Sequence, residues 1–352
     1  MKKRLWIRIV LCAVTVIFLI FAALVIYLSL TEYRPRDSQL PEQVQLVNGE
    51  DVPQGETITI YTWNIGYAGL DASADFFMDG GNDVNPKSED VRRNLSAIKE
   101  FISSHSASAW LLQEVDVNSA RTDHINELES ISEVYSESFA LAYNYKCEFV
   151  PIPLPPIGKV ESGIATFTDR HVTTQLERIS LPCPFSWPVS IANLKRCLLV
   201  TRLNVEKSDK ELVLVNLHLE AYDDGEGKIA QTKQLMSFLS AEYEKGNYVI
   251  AGGDFNQIFP ESEEKYPISD GVWRPGVLSE DDLPVGFSYV FDSEVPSCRL
   301  LDDALNEETQ MYVIDGFIVS DNLKVELAET VDLGFANADH NPVKLSFSLV
   351  SD

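Results

Sequence analysis

The first pattern along the chain is an unbroken apolar run. Ile9 to Leu30 reads IVLCAVTVIFLIFAALVIYLSL, with no charged residue. As a helix rising ~1.5 Å per residue, that length crosses a ~30 Å hydrocarbon core. A helix buried in a soluble core keeps a polar face, and this run has none. A cleavable signal has a shorter apolar stretch, ~7–15 residues, ending at small residues. Here Tyr27, Leu28 and Leu30 stand at the end instead. The run therefore predicts an uncleaved transmembrane anchor over 9–30. Lys2, Lys3, Arg4 and Arg8 make residues 1–8 a basic tail, and the positive-inside rule places that tail in the cytoplasm. Everything beyond the anchor then lies outside the cell. Residues 31–56 are polar, carry Pro35, Pro41 and Pro53, show no period, and predict a linker.

From residue 57 the pattern shifts between a period of two and a period near 3.6. Thr57–Trp63 (TITIYTW) alternates β-branched and aromatic residues, which predicts a strand. Val91, Leu95, Ile98 and Ile102 predict a helix over 88–103, with Glu89 and Asp90 suiting its first turn. Ile229, Leu235, Met236 and Leu239 predict a second helix over 228–242, and 127–131 the end of another. Strands are expected over 109–112, 163–168, 172–179, 197–204, 212–217, 248–251, 312–319, 325–331 and 343–349. Strands dominate with helices between them. The expected form over 57–352 is two sheets packed face to face with helices outside.

Composition adds two constraints. The net charge is −26, and four of the 28 basic residues precede the apolar run, so the rest is more acidic still. Such a surface serves solubility, and it repels long polyanions unless a basic patch or bound metal offsets it. Five cysteines are present without a CxxC pair, which excludes the usual structural zinc pattern. Cys12 lies in the apolar run. Cys147, Cys183, Cys197 and Cys298 permit two disulfides outside the cell, or buried free thiols.

The candidate chemistry sits where apolar runs end. Asn64 follows YTW, Glu114 stands in LLQEVD, and His218 in VNLHLEAY. Asp254 and Asn256 stand in GGDFNQ, Asp315 in YVIDGF, and Asp339 with His340 in ADHNPV. A carboxylate at the end of a buried strand is costly unless paired, hydrogen-bonded or metal-bound. Each residue alone fits a turn or a satisfied core group, but six such sites in one chain favour a converging centre. Phosphate-ester hydrolysis needs an activated water, neutralised phosphoryl oxygens and a stabilised leaving oxygen. Hard oxygen donors such as Glu114, Asp339 and the Asn64 amide suit Mg²⁺ or Mn²⁺. A carboxylate can take the water's proton, and an imidazolium can bind phosphoryl charge.

As a set, QEVD, GGDFN and DHNP resemble the endonuclease/exonuclease/phosphatase superfamily, from about Glu56 to Val350. That resemblance implies a four-layer α/β/β/α sandwich with two mostly antiparallel sheets, here preceded by one transmembrane helix. It implies metal-binding roles for Glu114, Asn64 and Asp339, with Mg²⁺ or Mn²⁺ as cofactor. Asp254 matches the aspartate that activates water, and Asn256 its partner. His340 matches the acid-base or phosphate-stabilising histidine, and Asp315 its carboxylate. His218 resembles the second histidine of the deoxyribonuclease and sphingomyelinase branches. Ala338 stands where many members have serine, which removes a hydrogen bond but no ligand. The expected substrate is a lipid headgroup or other small phosphoester, with an extracellular deoxyribonuclease-type endonuclease acting on nucleic acid as the alternative and a non-catalytic surface-binding module as a third reading. The membrane is met through the N-terminal helix, and no obligate protein partner is implied.

Arg121 and Arg196 are candidate substrate-binding residues, since guanidinium matches phosphate geometry; a surface salt bridge explains either equally well. Three segments are candidate rim loops. Residues 71–88 contain the acidic, glycine-rich DFFMDGGNDVNP. Residues 149–159 (FVPIPLPPIGK) and 181–189 (LPCPFSWPV) are apolar and proline-stiffened. The last two either fold back on the domain or touch lipid, where Phe185 and Trp187 suit the interfacial zone.

Overall fold

Alternation along single strands builds the layers. In the computed structural model, which describes residues 2–136, 138–169, 171, 173–223 and 225–350, Ile58 and Ile60 face one hydrophobic cluster while Tyr61 and Trp63 face another. Leu212 and Leu214 join the first cluster, whereas Val213, Val215 and Leu217 join a third. The shared cluster is the filling between two sheets, and each outer cluster lies under a helix. This is the period of two acting on strands buried on both faces.

The chain opens with helix α1 (Lys2–Thr31), then strands β1 (Ser38–Gln39), β2 (Gln43–Gln45) and β3 (Ile58–Asn64). Helix α2 (Ser88–Ser104), β4 (Ala109–Asp116), α3 (Glu127–Ser132), β5 (Phe139–Val150) and β6 (Gly158–Thr168) follow. Next come β7 (Thr173–Ser180), β8 (Cys197–Asn204), β9 (Glu211–His218), α4 (Glu226–Tyr243) and β10 (Tyr248–Asp254). The last strands are β11 (Phe287–Val290), β12 (Asp315–Ser320), β13 (Leu323–Thr330) and β14 (Val343–Leu349). One seven-stranded sheet runs β13-β14-β3-β4-β6-β5-β2, and the other β1-β7-β8-β9-β10-β12-β11. Each is antiparallel except for one interior parallel pair, β3 with β4 and β9 with β10. Helix α2 covers the first sheet through Val91, Leu95, Ile98 and Ile102, and α4 the second through Leu235, Met236 and Leu239. The expected four-layer α/β/β/α sandwich is the observed fold.

Helix α1 is long and apolar enough to cross a membrane, by length and composition. Its last turns touch the domain: Leu28 is buried with Cys147, Val150, Val160 and Ile191. Just beyond, Glu32 forms an ion pair with Lys195 at 3.2 Å.

Several expectations need correction. Residues 31–56 are no free linker, because β1 pairs with β7, β2 pairs with β5, and Val52 is buried between the sheets. Ile229 is 69% exposed, so the buried face of α4 begins instead with Gly227, Lys228, Gln231 and Thr232. The long strand β5 breaks its alternation at irregularities between Tyr143 and Tyr145 and between Cys147 and Val150. Val172, the first residue of the predicted 172–179 strand, lies outside the described residues. Among the described residues no disulfide forms: Cys147, Cys197 and Cys298 are buried thiols, and Cys12 and Cys183 are exposed.

Candidate active site

The two parallel pairs deliver the chemistry to one place. Parallel strands end side by side, so β3 and β4 bring Asn64 next to Gln113, while β9 and β10 bring His218 next to Asp254. The antiparallel neighbour β12 starts where β10 ends, which sets Asp315 opposite Asp254. Gly253 makes this possible. A Cβ there would lie 2.0 Å from the Leu217 carbonyl oxygen, so only glycine lets β10 run this close to β9. Glu114 lies at the irregularity between Leu112 and Val115, with φ of 56°. A bulge re-aims its side chain, and a left-handed non-glycine backbone costs roughly 1–3 kcal/mol, a pattern that concentrates at functional sites. Asn256 shares that trait, with φ of 49°.

Asp254 is the hub. Its Oδ2 accepts a hydrogen bond from Asn64 Nδ2 at 3.0 Å, and lies 3.5 Å from His218 Nε2 and 3.7 Å from His340 Nε2. Its Oδ1 accepts the Asn256 backbone N–H at 2.8 Å, while the Asn256 amide is tied to the Leu219 carbonyl. His340 Nδ1 bonds Asp315 Oδ2 at 2.7 Å, and that same oxygen accepts the Ser297 hydroxyl at 2.8 Å. The imidazole is thereby fixed with Nε2 aimed at Asp254 and, at 3.9 Å, at Asp339. The indole of Trp63 donates to the His340 carbonyl and secures the backbone.

Burial shapes the protonation states. Burial, with Asp315 nearby, pushes the Asp254 carboxyl up to about 6. Burial and the Glu114 charge push Asp339 up to about 7. Burial alone would lower His340, but Asp315, with Asp339 and Asp254, outweighs it and holds the imidazole well above its ordinary value. His218 goes the other way, well below, through burial followed by the Arg196 and His340 charges. The centre therefore pairs one cationic and one neutral histidine with a cluster of carboxylates.

The donor set fits a hard divalent cation. Asp339 Oδ1 is buried without a hydrogen-bond partner among the described residues, and an open carboxylate oxygen of that kind suits a hard divalent cation. Asp254, Asp315 and His340 also bring ligand atoms within 4.8 Å of one another. That trio is already occupied by the His340–Asp315 hydrogen bond, so Glu114 and Asp339 suit the cation better. Asn64 departs from its expected place as an oxygen ligand. Its Oδ1 accepts the Gly66 N–H at 3.0 Å, and its Nδ2 faces Glu114 at 3.2 Å and Asp254. In this arrangement it bridges the two carboxylates as a donor.

The sequence matches the Endonuclease/Exonuclease/phosphatase family over residues 61–306. The chain belongs to that family.

It is accordingly a hydrolase acting on phosphate ester bonds, of a family whose enzymes generally depend on divalent metal. Among curated proteins no sequence matches. Among solved structures, the endonuclease/exonuclease/phosphatase from Beutenbergia cavernae DSM 12333 superposes with TM-score 0.57 at 15% identity, covering 83% of this chain and 72% of that one. The corresponding protein from Bacteroides vulgatus gives 0.53 at 13%, covering 84% and 99%. ANGEL2, a 2',3'-cyclic phosphatase, solved in complex with adenosine-2',3'-vanadate, gives 0.51 at 14%, covering 91% and 100%. At such identities the likeness speaks for the fold.

Asn64, Glu114, His218, Asp254, Asp339 and His340 line a cleft of about 780 Å³. Arg121 and Arg196 both line it, but both are engaged. Arg121 makes a two-pronged pair with Asp116 at 3.0 and 2.8 Å and lies 3.5 Å over the Tyr67 ring, so its salt bridge is buried and not on the surface. Arg196 reaches Glu220 at 3.3 Å and the His218 carbonyl at 3.1 Å, propping the β9 end. The 71–88 insertion forms one wall and is latched there, since Tyr222 donates to Asp79 at 2.8 Å. Sequence reading missed Ser297, a loop serine with no pattern around it. It also missed Gln113 and Asn216, which bond at 2.8 Å across the two sheets beneath the site. Their strand-end polarity in LLQEVD and VNLH was the available signal.

Proposed function

We propose that this chain is a membrane-anchored, Mg²⁺-dependent phosphoesterase whose catalytic domain lies outside the cell. Its substrate is the phosphodiester or phosphomonoester of a lipid headgroup or other small molecule. The observation that carries the reading is the convergence of Asp254, His340, Glu114 and Asp339 on one cleft, with Asp315 bonded to His340 Nδ1. Glu114 and Asp339 would hold the cation, which when bound neutralises phosphoryl charge and acidifies water. Asp254 is held by Asn64 and the Asn256 N–H, and its raised pKa suits it to take a proton from water attacking phosphorus. His340, kept cationic by Asp315, donates from Nε2 to a phosphoryl oxygen as charge builds there. His218, neutral and beside Asp254, keeps that carboxylate oriented. Arg121 and Arg196 shape the walls through their ion pairs.

The anchored, extracellular placement is supported by the apolar helix α1 and the basic residues before it. A second reading, an extracellular deoxyribonuclease-type endonuclease, is favoured by His218 at the hub. The net charge of −26 weighs against it. The test is a parallel panel with Mg²⁺: bis-p-nitrophenyl phosphate, plasmid DNA, and lipid vesicles. Hydrolysis abolished by Asp254→Ala is expected. Cleavage of DNA alone would replace the first reading with the second, and no turnover of any phosphoester would end both.

A further inference from the structure

The cleft has an apolar rim that a water-facing enzyme has no use for. Leu154 is 83% exposed, Ile152 75% and Trp187 62%. They sit on the proline-stiffened loops 151–157 and 181–189, which flank the cleft mouth. Large apolar side chains this exposed, on two loops beside one cleft, call for an apolar partner.

Position relative to α1 identifies the partner. The Trp187 indole N–H donates to Ser29 Oγ at 3.1 Å, within the last turn of α1. Leu28 packs on Val150, which leads into the first loop, and on Ile191, which follows the second. The helix is thus seated between the two loops. This rests on the reading of α1 as a membrane span. A span ending at Thr31 emerges from the hydrocarbon near Ser29, and the Trp187 ring is then at headgroup level, where indole is favoured. The neighbouring apolar tips continue the surface that α1 already presents to lipid. We infer that this rim is a membrane-docking surface, which applies the cleft mouth to the bilayer so that the phosphoester reaching Asp254 belongs to a membrane amphiphile.

The experiment uses the full chain reconstituted in vesicles of phosphatidylcholine, sphingomyelin and a phosphatidylinositol monophosphate, compared with a Leu154→Asp/Trp187→Asp variant. Two readouts are taken: fluorescence quenching by brominated phosphatidylcholine, and Mg²⁺-dependent turnover of vesicle lipid beside soluble bis-p-nitrophenyl phosphate. Docking predicts a quenched component in the native chain that the variant lacks. It also predicts a roughly tenfold or greater fall in lipid turnover, since two apolar contacts with lipid are lost. Turnover of the soluble ester stays, which also shows that the variant is folded. No difference in quenching, or equal loss on lipid and soluble ester, would overturn the inference while leaving the phosphoesterase reading intact. Quenching without hydrolysis of any ester would support the docking surface and remove the phosphoesterase reading instead.

Discussion

Replacing Asp315 by Asn tests the centre with the least disturbance of shape. The side chain keeps its volume, and Ser297 can still donate to the amide oxygen. What is lost is the carboxylate 2.7 Å from His340 Nδ1, in a position where both residues are buried. A hydrogen bond between charged partners contributes about 1.5–3 kcal/mol. Removing that partner should therefore lower the His340 pKa. The sign follows from the direction of the native shift. His340 is held well above its ordinary value, chiefly by Asp315, so without that charge it loses its proton at lower pH. If the cationic form acts on the phosphoryl group, the basic limb of the kcat profile moves toward acid. The plateau should also fall, by about 10²–10⁴ on the scale of misoriented catalytic histidines. The assay is Mg²⁺-saturated hydrolysis of bis-p-nitrophenyl phosphate across pH. An unmoved basic limb with an undiminished plateau would refute the reasoning, because His340 would then work without its carboxylate.

Other substitutions probe separate links. Glu114→Ala should weaken Mg²⁺ at least roughly tenfold, read as the half-saturation of Mg²⁺-induced thermal stabilisation; an unchanged half-saturation would disprove the metal assignment. Gly253→Ala places a methyl group 2.0 Å from the Leu217 backbone oxygen, so urea unfolding should show a loss of about 1–3 kcal/mol or more. A loss within ~0.5 kcal/mol would mean the two strands are not this close. Away from the site, Arg202 clasps buried Glu242 at 2.6 and 2.7 Å. Burial would raise Glu242, but Arg202, Lys245 and Asn247 outweigh it and bring it from 4.5 down to about 2. A depressed carboxylate stabilises the fold above its unfolded pKa and loses that contribution as pH falls toward 2. The shift is worth about 3 kcal/mol, so Glu242→Gln should unfold more easily at neutral pH and show a flatter acid limb.

Much of this architecture was legible because the period of two is a direct record of burial on two faces. Ile60 and Tyr61 belong to different layers, and their alternation announces it. Glu114 and Asp254 were equally readable, since a carboxylate after an apolar run is costly unless something there needs charge. What escaped reading is local geometry. The edge strands β1 and β2 are two and three residues long and polar, so no period could reveal them. Strand β5 is long, but its irregularities reset the alternation twice. The turn of the Asn64 amide toward Glu114 depends on a Gly66 N–H two residues on, which no motif specifies. Arg121 and Arg196 carry the right chemistry for phosphate, yet only the fold reveals that Asp116 and Glu220 already hold them.

The placement of β14 beside β3 has a consequence for how the protein is made. Thr59 and Ser346, 287 residues apart, hydrogen-bond at 3.0 Å. Until the ribosome has released that distant strand, β3 carries a bare edge beside Ile58 and Ile60, ready to pair with any neighbouring chain. The domain must therefore wait for its final strands before it can close. A product stopped ahead of Val343 would leave that edge open, prone to pair with another copy of itself.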